Sequence, residues 1–376
     1  MHNRMILSGG TIIDGTGAAP YTGTLILSSG KIESIDTKNT NPYGEIINIT
    51  GCTVLPGFVH AHAHPGFKQL AGQDLPDYEL GWLEACLNAG ITTVRDMGGL
   101  NGNSLEDVLR RRDGLNATGK YPRIASAGKF LAAPGGYGGM APIAITTEGE
   151  ARHAVRDALQ AGVDFIKTSL ELGYSPDTAL PTLPPELLGA ICDEARSLGL
   201  PVAAHLSQSG PLRTLVEAGI TNAEHAPYDP MDDELISLMI NRGVMLTPTL
   251  TMYRMFQEKY GAPFLATAMD NTRRFAAAGG LVAVGDDYLE PEEPWYLPGL
   301  PMGELELLLQ AGLTPMQVIT ALTKNGAAAC GLASGTGTLE PGKAADVVVV
   351  RGDPLADLNR LREVAVVVSR GRVIKN

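Results

Sequence analysis

The hydrophobic pattern divides the chain into two β-rich ends and a centre of different character. In residues 1–55, apolar and polar positions alternate in short segments that Gly or Asn separates. Segments of the same kind, Ala345–Arg351 and Val364–Ser369, follow near the other end, within residues 336–376. Strict alternation of this type is typical of half-buried β-strands. Both ends are therefore predicted to be β-structure.

The centre, residues 56–335, alternates short apolar strands with helical patterns. Eight such alternations are present, beginning with Phe58–His64 and ending with Val282–Gly285. Several of the helical segments end at a Gly that suits a helix C-terminus. This order predicts a closed parallel (β/α)8 barrel, with an open doubly wound sheet as the alternative. A GxGxxG motif does not follow the first strand, which disfavours a dinucleotide-binding fold.

Three histidines at spacing two stand in the first barrel strand, in the run PGFVHAHAH. They are His60, His62 and His64. Alternate residues of a strand point to the same face, so all three imidazoles are expected on one side. Neutral imidazole is a common metal ligand, and the run therefore predicts a metal site. His60 lies one step deeper, where a structural role and a ligand role remain open.

Other titratable residues close later strands of the predicted barrel. Catalytic groups of this fold lie at the carboxyl ends of the strands. Lys167, as an ammonium, cannot coordinate a cation, so it either pairs with an anion or reacts with CO2 to form a carbamate. Adjacent carboxylates on a strand point oppositely, so only one of Asp286 and Asp287 is expected to enter the site. Glu224 alternates with His225 and is expected to face the surrounding helices, paired with an Arg. The residues predicted to meet at this rim are His62, His64, Lys167, His205, His225 and one Asp of the pair.

Charge and cysteine content narrow the classes of partner and location. The formal net charge is −12, and Arg110–Arg112 is the one basic cluster, which argues against nucleic acid and anionic membranes as partners. The four Cys are scattered, without a CxxC pair, and predict reduced thiols. A signal peptide and an apolar run long enough to span a bilayer are both lacking, so a cytoplasmic protein is expected. A homo-oligomer is compatible with the sequence, which does not predict the oligomeric state.

Several stretches together resemble the amidohydrolase superfamily, most closely its imidazolonepropionase/prolidase-like branch with a lysine on strand four. They are PGFVHAHAH, GITTVRDMGG, GVDFIKTS, PVAAHLS, AEHA, VGDD and the tail LTPMQVITALTKNGAAACGL…GTLEPGKAADVVVVRGDP. The resemblance implies a (β/α)8 barrel over residues 56–335 and a small β-sandwich domain built from residues 1–55 and 336–376. It also implies two divalent metal ions, which we expect to be zinc. The implied ligands are His62, His64, Lys167 as carbamate, His205, His225 and Asp287.

The chain departs from the family pattern at two places. Relatives have Asp where His60 stands, and many carry GGHG where this chain has Gly135-Gly136-Tyr137-Gly138. Tyr137 is therefore a candidate substrate contact in place of that histidine, and Tyr228, close after His225, is a second candidate. The family pattern Gly-Thr-Asp aligns Asp287 with the active carboxylate, and a one-residue slip would substitute Asp286.

These residues predict a metal-dependent hydrolase that cleaves an amide-type C–N bond of a small molecule with a metal-bridging hydroxide. Candidate substrates are N-acyl amino acids, dipeptides, cyclic amides and aryl amides. Asp287 is expected to move the proton, and carbamylated Lys167 to bridge the metals. Ester or lactone hydrolysis at the same centre is the first alternative. A one-metal deaminase and a scaffold protein without metal are the further ones.

Overall fold

A computed structural model describes residues 4–37, 43–65, 80–98, 104–138, 141–173, 179–289 and 296–375. None of the helices in those ranges has the length and apolar character needed to cross a membrane. The strands are β1 (Met5–Ile12), β2 (Tyr21–Ser28), β3 (Lys31–Asp36), β4 (Glu45–Asn48), β5 (Cys52–Pro56), β6 (Phe58–Ala63), β7 (Ile91–Asp96), β8 (Arg123–Ser126), β9 (Phe130–Ala132), β10 (Ile143–Ala144), β11 (Ile166–Ser169), β12 (Val202–His205), β13 (Asn222–Glu224), β14 (Met245–Thr247), β15 (Val347–Arg351), β16 (Val364–Ser369) and β17 (Arg372–Lys375).

Helices follow most of the central strands. They are α1 (Leu80–Asn88), α2 (Leu105–Thr118), α3 (Glu148–Ala161), α4 (Pro185–Ser197), α5 (Ser209–Ala218), α6 (Asp233–Arg242), α7 (Leu250–Tyr260), α8 (Leu265–Ala277), α9 (Met302–Gln310), α10 (Pro315–Thr320) and α11 (Gly326–Ala329). A π-helix, Ala321–Asn325, joins the last two, and a 3-10 helix, Leu358–Arg362, precedes β16.

The two ends of the chain form one sheet of eight strands. Its order is β17-β16-β15-β5-β1-β2-β3, with β4 beside β1. The C-terminal strand β15 lies antiparallel against β5, with Val349 opposite Val54. Buried residues such as Leu25, Val54 and Val366 form an apolar cluster of their own, apart from the core of the central region. The ends are therefore joined by strand pairing and by a shared core.

The central strands form two parallel sheets. The order is β6-β7-β8 in one and β10-β9-β11-β12-β13-β14 in the other. Parallel strands need crossover connections, and the helices that supply them cover the sheet. The large core cluster lies between these strands and helices and includes Leu83, Ile166, Leu188 and Phe275. The centre is a TIM-barrel-like α/β fold.

The predicted eighth strand, Val282–Gly285, is wrong as a regular strand. Residues 281–288 instead change partners along their length. The amide of Ala283 donates to Leu246 O of β14 at 2.9 Å, and the amide of Ala61 of β6 donates to Val284 O at 2.7 Å. At Gly285 the segment comes so close to β6 that a Cβ would lie 2.6 Å from the backbone N of His62. This close approach and the change of hydrogen-bonding partner prevent residues 281–288 from forming a continuous strand ladder.

Candidate metal centre

His60 does not share a face with His62 and His64, so that prediction is wrong. The pairing of β6 with β7 shifts register between His60 and Ala63, which is the mark of a bulge. A bulge adds a residue to one strand and re-aims the side chains beyond it. His60 contacts Trp82 of α1 edge-on, with 5.5 Å between ring centroids, and its Nε2 lies 2.9 Å from Asp286 Oδ1. The ring of His60 thus belongs to the packing against α1.

His62 and His64 face the carboxylate of Asp287. The Nε2 atoms of His62 and His64 lie 3.1 Å and 3.4 Å from Asp287 Oδ1. All three residues are buried. Asp286 is turned to the other side, where it accepts from the amide of Tyr288 as well as contacting His60. Asp287 is therefore the member of the pair that enters the cluster.

Left-handed backbone conformations concentrate at this site. Among the described residues, five that are not Gly have positive φ: Ser29, His225, Thr249, Asp287 and Arg370. Three of the five, at φ 77°, 49° and 60°, are His225, Thr249 and Asp287. Such conformations cost on the order of 1–3 kcal/mol each and persist where the surrounding structure fixes them. Here they turn side chains toward the cluster, His225 just beyond β13, Thr249 just beyond β14 and Asp287 in the segment 281–288.

The left-handed turn at His225 also explains why the prediction for Glu224 is wrong in direction. Glu224 is fully buried and faces the site rather than the helices. One carboxylate oxygen accepts from His62 Nδ1 at 2.7 Å, and the other accepts from Arg95 at 2.7 Å. Because the backbone at His225 departs from the alternation of a strand, the side chains of both Glu224 and His225 reach the buried cluster. The expected Arg partner exists, but it is Arg95 of β7, inside the barrel region and 4.1 Å above the Phe165 ring.

His225 is held by Thr249 and lies against two other imidazoles. Its Nδ1 lies 2.6 Å from Thr249 Oγ1. Ring centroids are 4.9 Å from His62 and 4.6 Å from His205. One candidate ligand atom from each of His62, His225 and Asp287 lies within 4.8 Å of the others. Imidazole and carboxylate groups at such separations can hold a divalent cation.

Lys167 lies buried beside this cluster. Within the described part of the chain, Nζ has no hydrogen-bond partner, and it lies 5.3 Å from the centre of the Phe130 ring. Burial lowers the pKa of Lys167 to about 8, although the charges of Glu224 and Asp287 work in the opposite direction. A buried polar group without a partner calls for a specific explanation, such as an ion or a modification.

The pKa values of the cluster follow from burial and from carboxylate neighbours. Burial lowers the pKa values of His205 and His225 well below the usual range. Burial alone would also lower that of His62, but Asp287 and Glu224 raise it above its ordinary value. Against its own burial, Asp287 is held well below its ordinary pKa by His62, His64 and His225. The site is thus built to keep an anion at Asp287 and neutral imidazoles at His205 and His225.

The two predicted substrate contacts lie at different places on the rim. The ring of Tyr137 stacks on His205, with 3.8 Å between centroids and 14° between planes. Tyr228 follows β13 and stacks on Phe264 at 4.5 Å, while its hydroxyl accepts from Gln208. Tyr137 is therefore in contact with the cluster, whereas the described contacts of Tyr228 are with the loops around it.

Four residues of the site were not assigned to it from the sequence: Arg95, Glu171, Glu224 and Thr249. Glu171 is buried, and its Oε2 lies 3.3 Å from His205 Nε2. A charged residue inside an apolar strand, as Arg95 is in ITTVRD, is a signal that could have been used. Glu171 continues the spacing of two from Lys167 through Ser169, which is a second available signal.

Comparison with known proteins assigns the chain to a family. The model of the amidohydrolase family matches residues 53–374, and the chain belongs to this family of hydrolases. Within it, the similarities place the chain in the imidazolonepropionase/prolidase-like branch, which confirms the resemblance seen in the sequence.

Individual relatives are distant but similar over most of their length. The ochratoxinase of Aspergillus niger is 26% identical over 417 residues, covering 95% of this chain and 83% of that protein. The imidazolonepropionase of Symbiobacterium thermophilum is 25% identical over 409 residues, covering 96% and 91%. The crystal structure of a Xaa-Pro dipeptidase with bound methionine superposes with a TM-score of 0.85 at 24% identity, covering 100% of both chains. That last similarity shows the common TIM-barrel-like fold.

Proposed function

We propose that this chain is a two-metal hydrolase that cleaves an amide C–N bond in a small-molecule substrate. The observation that carries the proposal is the buried cluster in which His62, His225 and Asp287 offer ligand atoms within 4.8 Å of one another. His64 and His205 adjoin this cluster through Asp287 and through the His225 ring. Membership of the amidohydrolase family supports hydrolysis at this site.

The residues present fit a pair of divalent cations. Nε2 of His62 makes no well-directed hydrogen bond within the described residues, although it lies 3.1 Å from Asp287, and the amine of Lys167 is unpaired. We assign His62, His64 and Asp287 to one metal and His205 and His225 to the other, with Lys167 between them. A donor set rich in imidazole favours Zn2+.

Lys167 is the residue proposed to carry a carbamate. A pKa of about 8 leaves an appreciable fraction of neutral amine at neutral pH, and a neutral amine can add to CO2 with loss of one proton. The product is an anion with two oxygens, which would replace an unpaired buried amine by a pair of metal ligands.

Asp287 is the residue proposed to move the proton. When bound, divalent ions would acidify a water molecule and polarise the scissile carbonyl. Asp287, a carboxylate beside His62 and His64, can accept the proton of the attacking water. It then delivers that proton to the leaving nitrogen, which departs as a neutral amine. Its inward position, fixed by a φ of 60°, suits this transfer.

Substrate selection is assigned to the rim. Tyr137, which covers His205, and Tyr228, beyond β13, are proposed to contact the substrate. The named relatives act on different molecules, ochratoxin and imidazolonepropionate among them, so the amide class is proposed and the individual substrate is not.

The proposal includes the arrangement of the chain. Residues 56–335 form the closed barrel that carries the site, and residues 1–55 with 336–376 form a β-sandwich domain. The separate apolar cluster of the terminal sheet supports this division. We further propose a cytoplasmic location, which the four free cysteines support. The acidic balance of charge argues against nucleic-acid and anionic-membrane partners.

The test combines metal analysis with a substrate screen. The chain is loaded with zinc in the presence of bicarbonate, metals per chain are counted, and N-acyl amino acids, dipeptides, cyclic amides, aryl esters and lactones are assayed. Two metals with amide hydrolysis support the proposal. Two metals with hydrolysis of esters or lactones alone would favour the alternative chemistry. One metal with deamination, or no metal at all, would overturn it.

A further inference from the structure

Two buried polar atoms face each other at the edge of the cluster, and the proposed mechanism does not use one of them. They are Glu171 Oε2 and His205 Nε2, 3.3 Å apart. In the described part of the structure, neither atom has a well-directed hydrogen bond. The simplest account is that these two atoms form a hydrogen bond with each other, one as donor and the other as acceptor.

The backbone fixes Glu171 in this position. The amide of Leu170 donates to His205 O at 2.9 Å, which extends the pairing of β11 with β12 and brings residue 171 beside His205. The other carboxylate oxygen, Oε1, accepts from the amide of Gly173 at 2.7 Å. With one oxygen held by the backbone, the second is directed at the imidazole. Tyr137 stacks on the face of the same ring, so the orientation of His205 is held from two directions.

The other three imidazoles of the site are anchored through the opposite nitrogen. In His62, His64 and His225, the atom held by the protein is Nδ1. The partners are Glu224 Oε2 at 2.7 Å, Gly98 O at 3.2 Å and Thr249 Oγ1 at 2.6 Å. This leaves Nε2 to face the cluster. In His205 the nitrogen beside the Glu171 carboxylate is Nε2, so Nδ1 is the nitrogen that remains as a possible metal ligand.

We propose that Glu171 is a positioning residue that accepts a hydrogen bond from Nε2–H of His205 and so presents Nδ1 as the metal ligand. The proposal rests on the proposed function, because it assigns His205 to a metal. A histidine ligand needs its lone pair on the coordinating nitrogen, and an acceptor at the other nitrogen selects that tautomer. Glu171 therefore acts on the metal through His205, without itself touching substrate or metal.

The test reads the tautomer of His205 directly. The full chain is labelled with 15N-histidine, and long-range 1H–15N correlation spectra are recorded with zinc bound and after zinc removal, at about pH 8, where histidine is neutral. A His205→Asn variant assigns the signal. We expect Nε2 of His205 to carry the proton in both states, while Nδ1 carries it in His64. A proton on Nδ1 of His205 in the zinc-free chain would overturn the proposal, and this measurement needs no variant at position 171.

Substitutions at Glu171 then test the cause. Glu171→Gln keeps an acceptor and should keep the tautomer, whereas Glu171→Leu should shift the proton of zinc-free His205 toward Nδ1. Competition with a chelator should show an affinity for one zinc ion reduced about 10- to 100-fold in Glu171→Leu. The exposed Glu217→Leu serves as the matched control. An unchanged tautomer and zinc affinity in Glu171→Leu would refute the pairing. A chain with this tautomer that binds no zinc would instead refute the proposed function.

Discussion

Asp286 and Asp287 are neighbours in sequence, but their carboxylates point to opposite sides of the segment 281–288. Asp286 lies 2.9 Å from His60 Nε2, in contact with the packing against α1. Asp287 lies 3.1 Å from His62 Nε2, in the cluster. The positive φ of Asp287 accompanies this division. Two identical side chains thus offer a matched pair for experiments.

The first prediction uses that pair. Asp287→Asn removes the proton acceptor and should reduce kcat by about 10²- to 10⁴-fold. Asp286→Asn should keep both metals and activity within a few-fold, but should lower the free energy of unfolding by about 1–3 kcal/mol because the buried contact with His60 is weakened. Steady-state kinetics, metal counting and denaturant unfolding of both variants check this. Equal activity losses in the two would contradict the assignment of Asp287.

The second prediction concerns the amine of Lys167. Lys167→Ala removes the proposed bridging anion, so the number of metals per chain should fall and hydrolysis should be lost. In the wild-type chain, 13C-bicarbonate should produce a carbamate signal by 13C NMR, and this signal should be absent from Lys167→Ala. The comparison is made at equal protein and bicarbonate concentrations. Retention of both metals and full activity in the variant would remove the basis for the carbamate.

A third prediction follows from the close approach at Gly285. A Cβ there would lie 2.5 Å from Cβ and 2.6 Å from N of His62, so Gly285→Ala must displace β6 or the segment itself. We expect the free energy of unfolding to fall by about 1–3 kcal/mol, as for other overpacked sites, and zinc affinity to fall with it. Gly210→Ala in α5 is the control, because a Cβ there meets nothing within 4 Å. If the two variants were equally stable, the close approach would be refuted.

The fourth prediction is a pH dependence of stability from Glu304 of α9. Its carboxylate accepts from the amides of Leu250 and Thr251 at the start of α7, yet burial raises its pKa from 4.5 to about 7. A carboxyl with a raised pKa in the folded chain contributes stability below pH 4.5 that is lost as the pH rises to about 7. The loss amounts to about 3 kcal/mol.

Unfolding free energies of the wild type and of Glu304→Gln between about pH 4 and pH 8 measure this contribution. The variant should be less stable overall, because its amide N–H2 group faces donors, but it should lack this part of the pH slope. Glu306→Gln, on the same helix with a side chain that is 45% exposed, should keep the wild-type slope. Identical slopes in Glu304→Gln and the wild type would show that Glu304 is not the group that titrates.

The alternation of apolar and polar residues was sufficient to predict most strands and helices of the centre, but it did not predict the short strands β9 and β10 or the irregular segment in place of an eighth strand. It was also sufficient to place His62, His64, His205 and His225 at strand ends, where the structure finds them. The predictions failed for His60 and Glu224, and in both cases the cause is a local break in the period of two. A bulge after His60 and a left-handed residue at His225 change which way side chains point. Neither is encoded in the pattern of hydrophobicity, because both depend on the packing of neighbouring strands.

The placement of β15 between β5 and β16 has a consequence for the order of events during synthesis. The edge of β5 cannot be covered until Val347–Arg351, which lies far downstream of β5 in the sequence, has left the ribosome. Gly57, which links β5 to the strand bearing His62, donates its amide to Asp346 O at 2.8 Å. The strand that begins the candidate centre is therefore anchored by a segment that is translated long after it. A ribosome-bound chain from which β15 has not yet emerged would expose an unpaired edge of β5, a feature that favours aggregation or chaperone binding.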